Sequence, residues 1–420
     1  MAEHPVAGPR RSYQTPLLVV AVTAAGFNLR TAVTNLPPLF PDLQTQLHLS
    51  SAALSLLAAT PVIFFGAAAA FAAWLNRRFG EEVVLLAALA VLTAGLLLRG
   101  VAPGVMLFPG TVLAASAIAI LNVLLSSMIK RRHPDRAGAL ISTYLTALCV
   151  GGILASLLAV PLYHASGNSI SFAIGVWAAP AALATLLWLP QLRHRGVGAR
   201  SAPSTVSAHV KVHKYALAWQ VMAFMGLQSL LYYAALSWLP TIFQDRGTSA
   251  VTSGNLLALM GAGNLIGALV VPVLAHRSPG QRTLVLPSMT AMGVGLAGSL
   301  WAPVSTAAFW VLVLGVSQGS CLGLAIFFMM ARAPDAGIAA SLSAFSQSVG
   351  YLVAAAGPLE VGLLHSATGS WNIPVALLLL LCVVELATGL LAGRPLMLPA
   401  VPEQPARGAP TARDRLGERG

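Results

Sequence analysis

Residues 17–40 read LLVVAVTAAGFNLRTAVTNLPPLF, an apolar run interrupted in its middle by Arg30. About 20 apolar residues span a bilayer core as an α-helix. The run starts at Leu17, so Arg30 lies about 20 Å into such a helix at about 1.5 Å per residue. That is too deep for its side chain to reach the interface where the helix begins. A cation at bilayer depth costs about 2.5–3.5 kcal/mol on insertion scales. Arg30 therefore reads as facing a water-filled cavity or an anionic partner. The alternative is a structural arginine that reaches the other interface because Pro37-Pro38 ends the span early.

The whole chain repeats the character of this run. It is 57% hydrophobic and 9% charged over 420 residues, with mean hydropathy +0.79. Soluble domains carry about 25% charged residues, so the composition is that of an integral membrane protein. The formal charge of +12 does not signal nucleic-acid binding, because the basic residues lie mostly in short loops between apolar runs. Residues 1–14 contain Arg10-Arg11 but no short apolar core followed by a small-residue cleavage site, so no signal peptide is expected. Cys149, Cys321 and Cys382 all fall in apolar runs, a pattern of neither a disulfide framework nor a metal site.

Apolar runs of spanning length predict twelve transmembrane helices, at about 16–40, 52–75, 83–101, 104–128, 138–163, 171–190, 215–243, 252–275, 284–301, 307–331, 338–364 and 372–393. Of 24 basic residues, 21 fall on one side of the resulting topology, among them Arg77, Arg78, Lys130, Arg131 and Arg136. Arg99 and Arg246 fall on the other side. The positive-inside rule then places both termini in the cytoplasm, as an even number of spans requires. The predicted organisation is a cytoplasmic segment 1–15, a six-helix bundle 16–190, a basic linker 191–214, a second six-helix bundle 215–393 and a disordered tail 394–420.

The halves resemble each other at a nearly constant offset. Pro134-Asp135 recurs as Pro334-Asp335, Gly26-Phe27-Asn28 as Gly226-Leu227-Gln228, and Pro38 as Pro240. These matches predict a duplicated bundle with a substrate site between the halves near midplane. Small-residue faces such as residues 66–73 and Gly263-x-x-x-Gly267 read as close helix packing.

Polar residues at membrane depth are few. Asn28 and Asn35 are seven apart and share one helix face, whereas Arg30 points to the other side. Pro37 and Pro38, which each withhold a backbone donor, offer a break. In the seventh span Gln228 and Tyr232 lie four apart on one face, near the depth of Arg30. Asn122, Gln318 and Gln347 occupy the fourth, tenth and eleventh spans; interhelical hydrogen bonding is the competing role for each. Glu360 and Glu385 are the carboxylates of the late spans and the candidates for proton coupling, against an interfacial position or a basic partner. Gly315-Val316-Ser317-Gln318-Gly319 matches a hydrolase nucleophile pattern but sits in an apolar helix without the strand that pattern needs. No phosphate loop or His-Glu-x-x-His stretch occurs. No cofactor or metal is expected.

Asn28-Leu29-Arg30-Thr31-Ala32 with Pro37-Pro38, Asn122-Val-Leu-Leu, Gly226-Leu-Gln-Ser-Leu-Leu-Tyr-Tyr, Met330-Ala-Arg-Ala-Pro-Asp335 and Ser343-Ala-Phe-Ser-Gln-Ser-Val-Gly-Tyr-Leu352 together resemble the major facilitator superfamily. More narrowly they resemble its cyanate and 2-nitroimidazole porters. The resemblance implies an all-α membrane fold of two pseudo-symmetric six-helix bundles and alternating access. It also implies a small anion or small polar heterocycle as substrate, with Arg30 lining the central cavity and Gln228 and Tyr232 completing the site. The loop Asn76-Arg77-Arg78-Phe79-Gly80-Glu81-Glu82 departs from the superfamily pattern by lacking its Asp and by placing acids where bases are usual. The expected function is secondary transport, with efflux of a small toxic compound as the alternative. The expected partners are a small-molecule substrate, a coupling proton and the lipid bilayer, with no nucleic acid and no obligate protein partner. A membrane enzyme or a receptor lacks, respectively, a titratable cluster at one depth and a large soluble domain.

Overall fold

The structure, a computed structural model, describes residues 14–132, 136–194, 211–278 and 280–399. The described residues form helices and no strands. In chain order these are α1 (Gln14–Thr34), α2 (Phe40–Leu47), α3 (Ser51–Phe79), α4 (Glu81–Val101), α5 (Pro103–Arg132), α6 (Ala137–Ala165), α7 (Ile170–Gly175), α8 (Ala178–Trp188), α9 (Ala216–Asp245), α10 (Ala250–Arg277), α11 (Arg282–Trp301), α12 (Ala307–Ala331), α13 (Ala336–Ala354), α14 (Ala356–Thr368) and α15 (Asn372–Ala392). Eleven helical stretches are long and apolar enough to cross a bilayer. The 29-residue α3, apolar over Ser51–Ala67, supplies the twelfth.

Three spans are broken, and prolines account for the breaks. Pro37 and Pro38 cannot donate to the carbonyls one turn back, so α1 stops at Thr34 and a 3-10 turn, Pro37–Leu39, leads into α2. Pro180 and Pro358 sit in the first turns of α8 and α14, where a missing N–H is tolerated. Elsewhere the expected spans and the observed helices agree to within a few residues. Most of segment 1–15, Pro134-Asp135, linker residues 195–210 and tail residues 400–420 lie outside the described residues.

The packing repeats between the halves. In the first half α1 packs on α6, α4 on α5, α3 on α5, α4 on α8 and α1 on α8; in the second α9 packs on α13, α11 on α12, α10 on α12, α11 on α15 and α9 on α15. The two six-helix bundles are therefore pseudo-symmetric. They meet where α6 lies on α10 and where α3 lies on α13 and α14. The glycines matched in sequence do matching work: a Cβ on Gly26 would lie 2.8 Å from the Tyr144 carbonyl of α6, and one on Gly226 would lie 3.2 Å from Gly350 of α13.

Helix ends are closed chemically. Ser50 and Ser249, 199 positions apart, cap α3 and α10 by accepting from Ala53 N at 3.2 Å and Thr252 N at 3.1 Å. Asp335 Oδ1 accepts from Ile338 N at 2.8 Å and caps α13. Asp335→Ala is expected to cost about 1 kcal/mol, read as a lower melting temperature of the purified protein. Arginines serve several C-termini, where free carbonyls and the helix dipole favour a cation. Arg246 Nη1 donates to Ser299 O at 2.5 Å and Nη2 to Ala302 O, closing α11. Arg332 Nε and Arg282 Nε each donate at 2.9 Å to the end of α15, at Ala392 O and Leu390 O. Glu81, in the first turn of α4, pairs with Arg131 of α5. The acid that departs from the superfamily loop pattern thus joins two helices here.

Candidate functional site

α1 and α9 carry the two residues at the centre. Arg30 projects from α1 with its guanidinium carbon 4.8 Å from the centroid of the Tyr232 ring of α9, a cation–π contact across the bundle interface. Both border a void of about 10 Å³ lined also by Thr34, Cys149, Gly152, Ser156, Leu236 and Gly261, room for about one water. No carboxylate lines it. Gly151 sets how closely α1 approaches α6, since a Cβ there would lie 2.0 Å from Phe27 O, and Gly152 makes room for Arg30, whose Cγ and Cδ would lie 3.1 Å from a Cβ. Thr34 Oγ1 ties the same two helices by donating to Gly152 O at 3.0 Å.

An aromatic cluster surrounds the guanidinium. Tyr232 meets Tyr233 edge-on at 5.1 Å, Tyr233 lies 6.5 Å from Tyr351, and Phe65 lies 6.2 Å and 5.7 Å from Tyr233 and Tyr351. Tyr233 and Cys149 lie within electrostatic reach of Arg30. Tyr144 donates to Asn122 Oδ1 at 2.8 Å. The arrangement offers a planar fork of N–H donors, aromatic faces and hydroxyls. These are groups that hydrogen-bond and stack on small polar solutes, and among the described residues lining the void there is no nucleophile–base pair.

The remaining sequence candidates are not gathered at the void. Asn28 Nδ2 donates to Ala24 O at 2.8 Å and to Pro180 O of α8 at 3.0 Å, a link inside the first bundle. Gln228 accepts from Ser229 Oγ at 3.1 Å. Gln318 is buried in α12 with neither side-chain polar atom hydrogen-bonded. Gln347 and Glu360 are exposed. Glu385 is fully buried in α15, near Cys321 and Cys382, in the second bundle. Gly315 and Gly319, the ends of the hydrolase-like pattern, pack against the backbone of α10 at Met260 and Asn264. Sequence reasoning missed Thr34, Tyr144, Cys149, Gly152 and Tyr351. The adjacent glycines Gly151-Gly152 are a signal that could have pointed here, since small residues let another helix come close.

The end of the helices away from Arg77 and Arg78, called the far side below, is closed over the void. Gln244 Nε2 of α9 donates to Pro38 O at 3.1 Å, and Phe40 packs edge-on against Trp238 at 5.5 Å. A Cβ on Gly254 of α10 would lie 2.8 Å from Ser156 O of α6. Toward the basic side, Ser142, Thr146 and Gln347 are exposed on α6 and α13.

Two bundles joined where α6 meets α10 and α3 meets α13 and α14, with a charged residue between them closed off on the far side, have the organisation of a multi-pass membrane carrier. The Major Facilitator Superfamily profile matches residues 20–358. The chain belongs to that superfamily and is a secondary transporter of small substrates. It is 37% identical to the uncharacterized transporter YycB of Bacillus subtilis, over 91% of this chain and 95% of that one. It is 33% identical to the 2-nitroimidazole transporter of Escherichia coli (90% and 95%) and 29% identical to the cyanate transport protein CynX of Escherichia coli (91% and 98%). Its fold is similar to that of an inward-facing bacterial homologue of the lysosomal transporter Spinster, with TM-score 0.73 and 16% identity over 94% and 100% of the two chains.

Proposed function

We propose that the chain carries a small anion or small polar heterocycle across the cell membrane by alternating access, with Arg30 as the anchoring donor. The carrying observation is the Arg30 guanidinium set against Tyr232 at a void that no carboxylate lines. A bound anion supplies the missing counter-charge, and the guanidinium fork matches a carboxylate-like or nitro group. Tyr232 provides the second bundle's contact, and Asn122 acts indirectly by orienting Tyr144. Relatives named for cyanate and 2-nitroimidazole support this substrate class. Both termini lie in the cytoplasm in this reading, supported by the distribution of basic residues. Neither Glu360 nor Glu385 lines the void, so the reading assigns proton coupling to neither.

The test is ligand-dependent thermal stability of wild type and Arg30→Ala with cyanate, nitrite, small carboxylates and 2-nitroimidazole. A ligand at a hundredfold excess over Kd adds about 2.7 kcal/mol to the folded state. At least one of them is expected to stabilise wild type and not the variant. Equal stabilisation of both proteins would make Arg30 structural and move the site elsewhere.

A further inference from the structure

Arg99 is the other arginine at membrane depth. The sequence puts it on the far side, as an exception to the charge rule; the structure puts it inside α4, wholly buried. Its hydrogen-bond partners both belong to the end of α1: Nη1 donates to Ala32 O at 2.9 Å and Nη2 approaches Asn35 Oδ1 at 3.5 Å. No acidic side chain pairs with it among the described residues. The helix ladder is failing at this point. Asn35 N still bonds Thr31 O at 3.2 Å, and the next backbone bond of the segment is Leu39 N to Leu36 O at 2.9 Å. Pro37 and Pro38 withhold the N–H groups that Val33 O and Thr34 O would take one turn back, and Leu36 N makes no bond to Ala32 O, which is left for Arg99. A carbonyl left open in apolar surroundings is costly, and a C-terminal carbonyl favours a cation.

We propose that Arg99 is a positioning residue, whose guanidinium ties down the open end that α1 leaves at the Pro37-Pro38 break and so holds the far-side closure in place. The grip is short and continuous. Arg99 fixes Ala32 and Asn35; the next residues are the 3-10 turn, whose Pro38 carbonyl accepts from Gln244 and whose successor Phe40 packs on Trp238. α4 thereby anchors the first bundle's half of the closure, one turn beyond Arg30. Removing the anchor frees the turn to move while leaving the void residues in place.

The test reads accessibility directly. Ser237 of α9 is buried, beside Leu36, Pro37 and Phe40 beneath the closure. Ser237→Cys is made in the otherwise native chain and in chains carrying Arg99→Gln, Arg99→Lys or Asn35→Ala, and maleimide labelling of the purified proteins is timed against parents lacking the reporter. Arg99→Gln is expected to speed labelling about tenfold or more, as loss of a charge-assisted hydrogen bond implies. Asn35→Ala gives a smaller rise, and Arg99→Lys restores part of the protection. In proteoliposomes, an arm that rests on the substrate reading above, Arg99→Gln lowers the maximal rate of cyanate uptake and leaves KM and cyanate-dependent thermal stabilisation unchanged. Labelling as slow as in the native background for both Arg99→Gln and Asn35→Ala overturns the proposal. So does loss of cyanate stabilisation in Arg99→Gln, which would make Arg99 part of the site or of the general fold. If Arg99→Gln does not fold, Arg99→Lys and Asn35→Ala decide by the same labelling comparison. Failure of every probe ligand to stabilise wild type sinks the substrate reading alone, since labelling needs no ligand.

Discussion

Arg30→Gln in proteoliposomes is expected to lower the transport rate of the stabilising anion by about a hundredfold or more. Glutamine keeps an N–H donor, placed nearer the backbone, and removes the charge. Truncating one partner of a desolvated, hydrogen-bonded charge pair costs about 2–5 kcal/mol, and the loss falls on substrate binding and on the loaded occluded state together. Arg30→Lys separates charge from shape: lysine keeps the cation but offers a point charge instead of a planar fork. It is expected to restore part of the uptake with a raised KM. Tyr232→Phe keeps the ring face that lies 4.8 Å from the guanidinium and removes only the hydroxyl, so it should stay within about tenfold of wild type. Uptake by Arg30→Gln at the wild-type rate would remove the anchor from the mechanism.

Gly319→Val is expected to give the largest loss of stability. α10 and α12 lie closer together than side chains allow: Gly315 and Gly319 of α12 face the backbone at Met260 and Asn264, and Gly267 of α10 faces Val316 O and Ser320 N. A Cβ on Gly263 would already stand 2.9 Å from Leu312 O and Val316 N. These obstacles are backbone atoms of two packed helices, so the pair must move apart as a unit. Overpacking costs about 1–3 kcal/mol when side chains can yield, and about 4 kcal/mol or more is expected here, the range reserved for strong mechanisms. Gly293→Ala is the contrasting control, because a Cβ there meets nothing within 4 Å. Melting of the two purified variants should diverge, the first strongly lowered or not recoverable, the second at or slightly above wild type.

The fold was legible because hydropathy and loop charge are summed over twenty or so residues at a time, and single errors average out. The break at Pro37-Pro38 was legible from its paired prolines, whereas those ahead of Pro180 and Pro358 were not, and the spans 171–190 and 338–364 read as continuous. The place of Arg30 between the bundles was legible because a lone cation in an apolar run has few physical explanations. Its surroundings were not. Tyr144, Cys149 and Gly152 come from α6 and Tyr351 from α13, and neither the period nor the polarity of those helices says which face meets α1. Arg99 shows the same limit: two residues before the end of a span it counts as a surface charge, and only the neighbouring α1 end turns it inward. Asn28 shared a helix with Arg30, yet its face meets α8, at Pro180 O.

The dry closure on the far side fixes where a membrane voltage acts. An electric field drops little through water and steeply through apolar protein. Between the void at Arg30 and the far side stand Leu36, Pro37, Phe40 and Trp238, all buried, whereas polar residues of α6 and α13 are exposed toward the basic side. Much of any potential therefore falls across a layer a few side chains thick. Carrying one elementary charge through the full drop is worth about 2.3 kcal/mol per 100 mV. The voltage then acts mainly on the step that parts Phe40 from Trp238, and, if Arg30 anchors the substrate as proposed, much less on that contact, so an energised membrane alters turnover before it alters affinity.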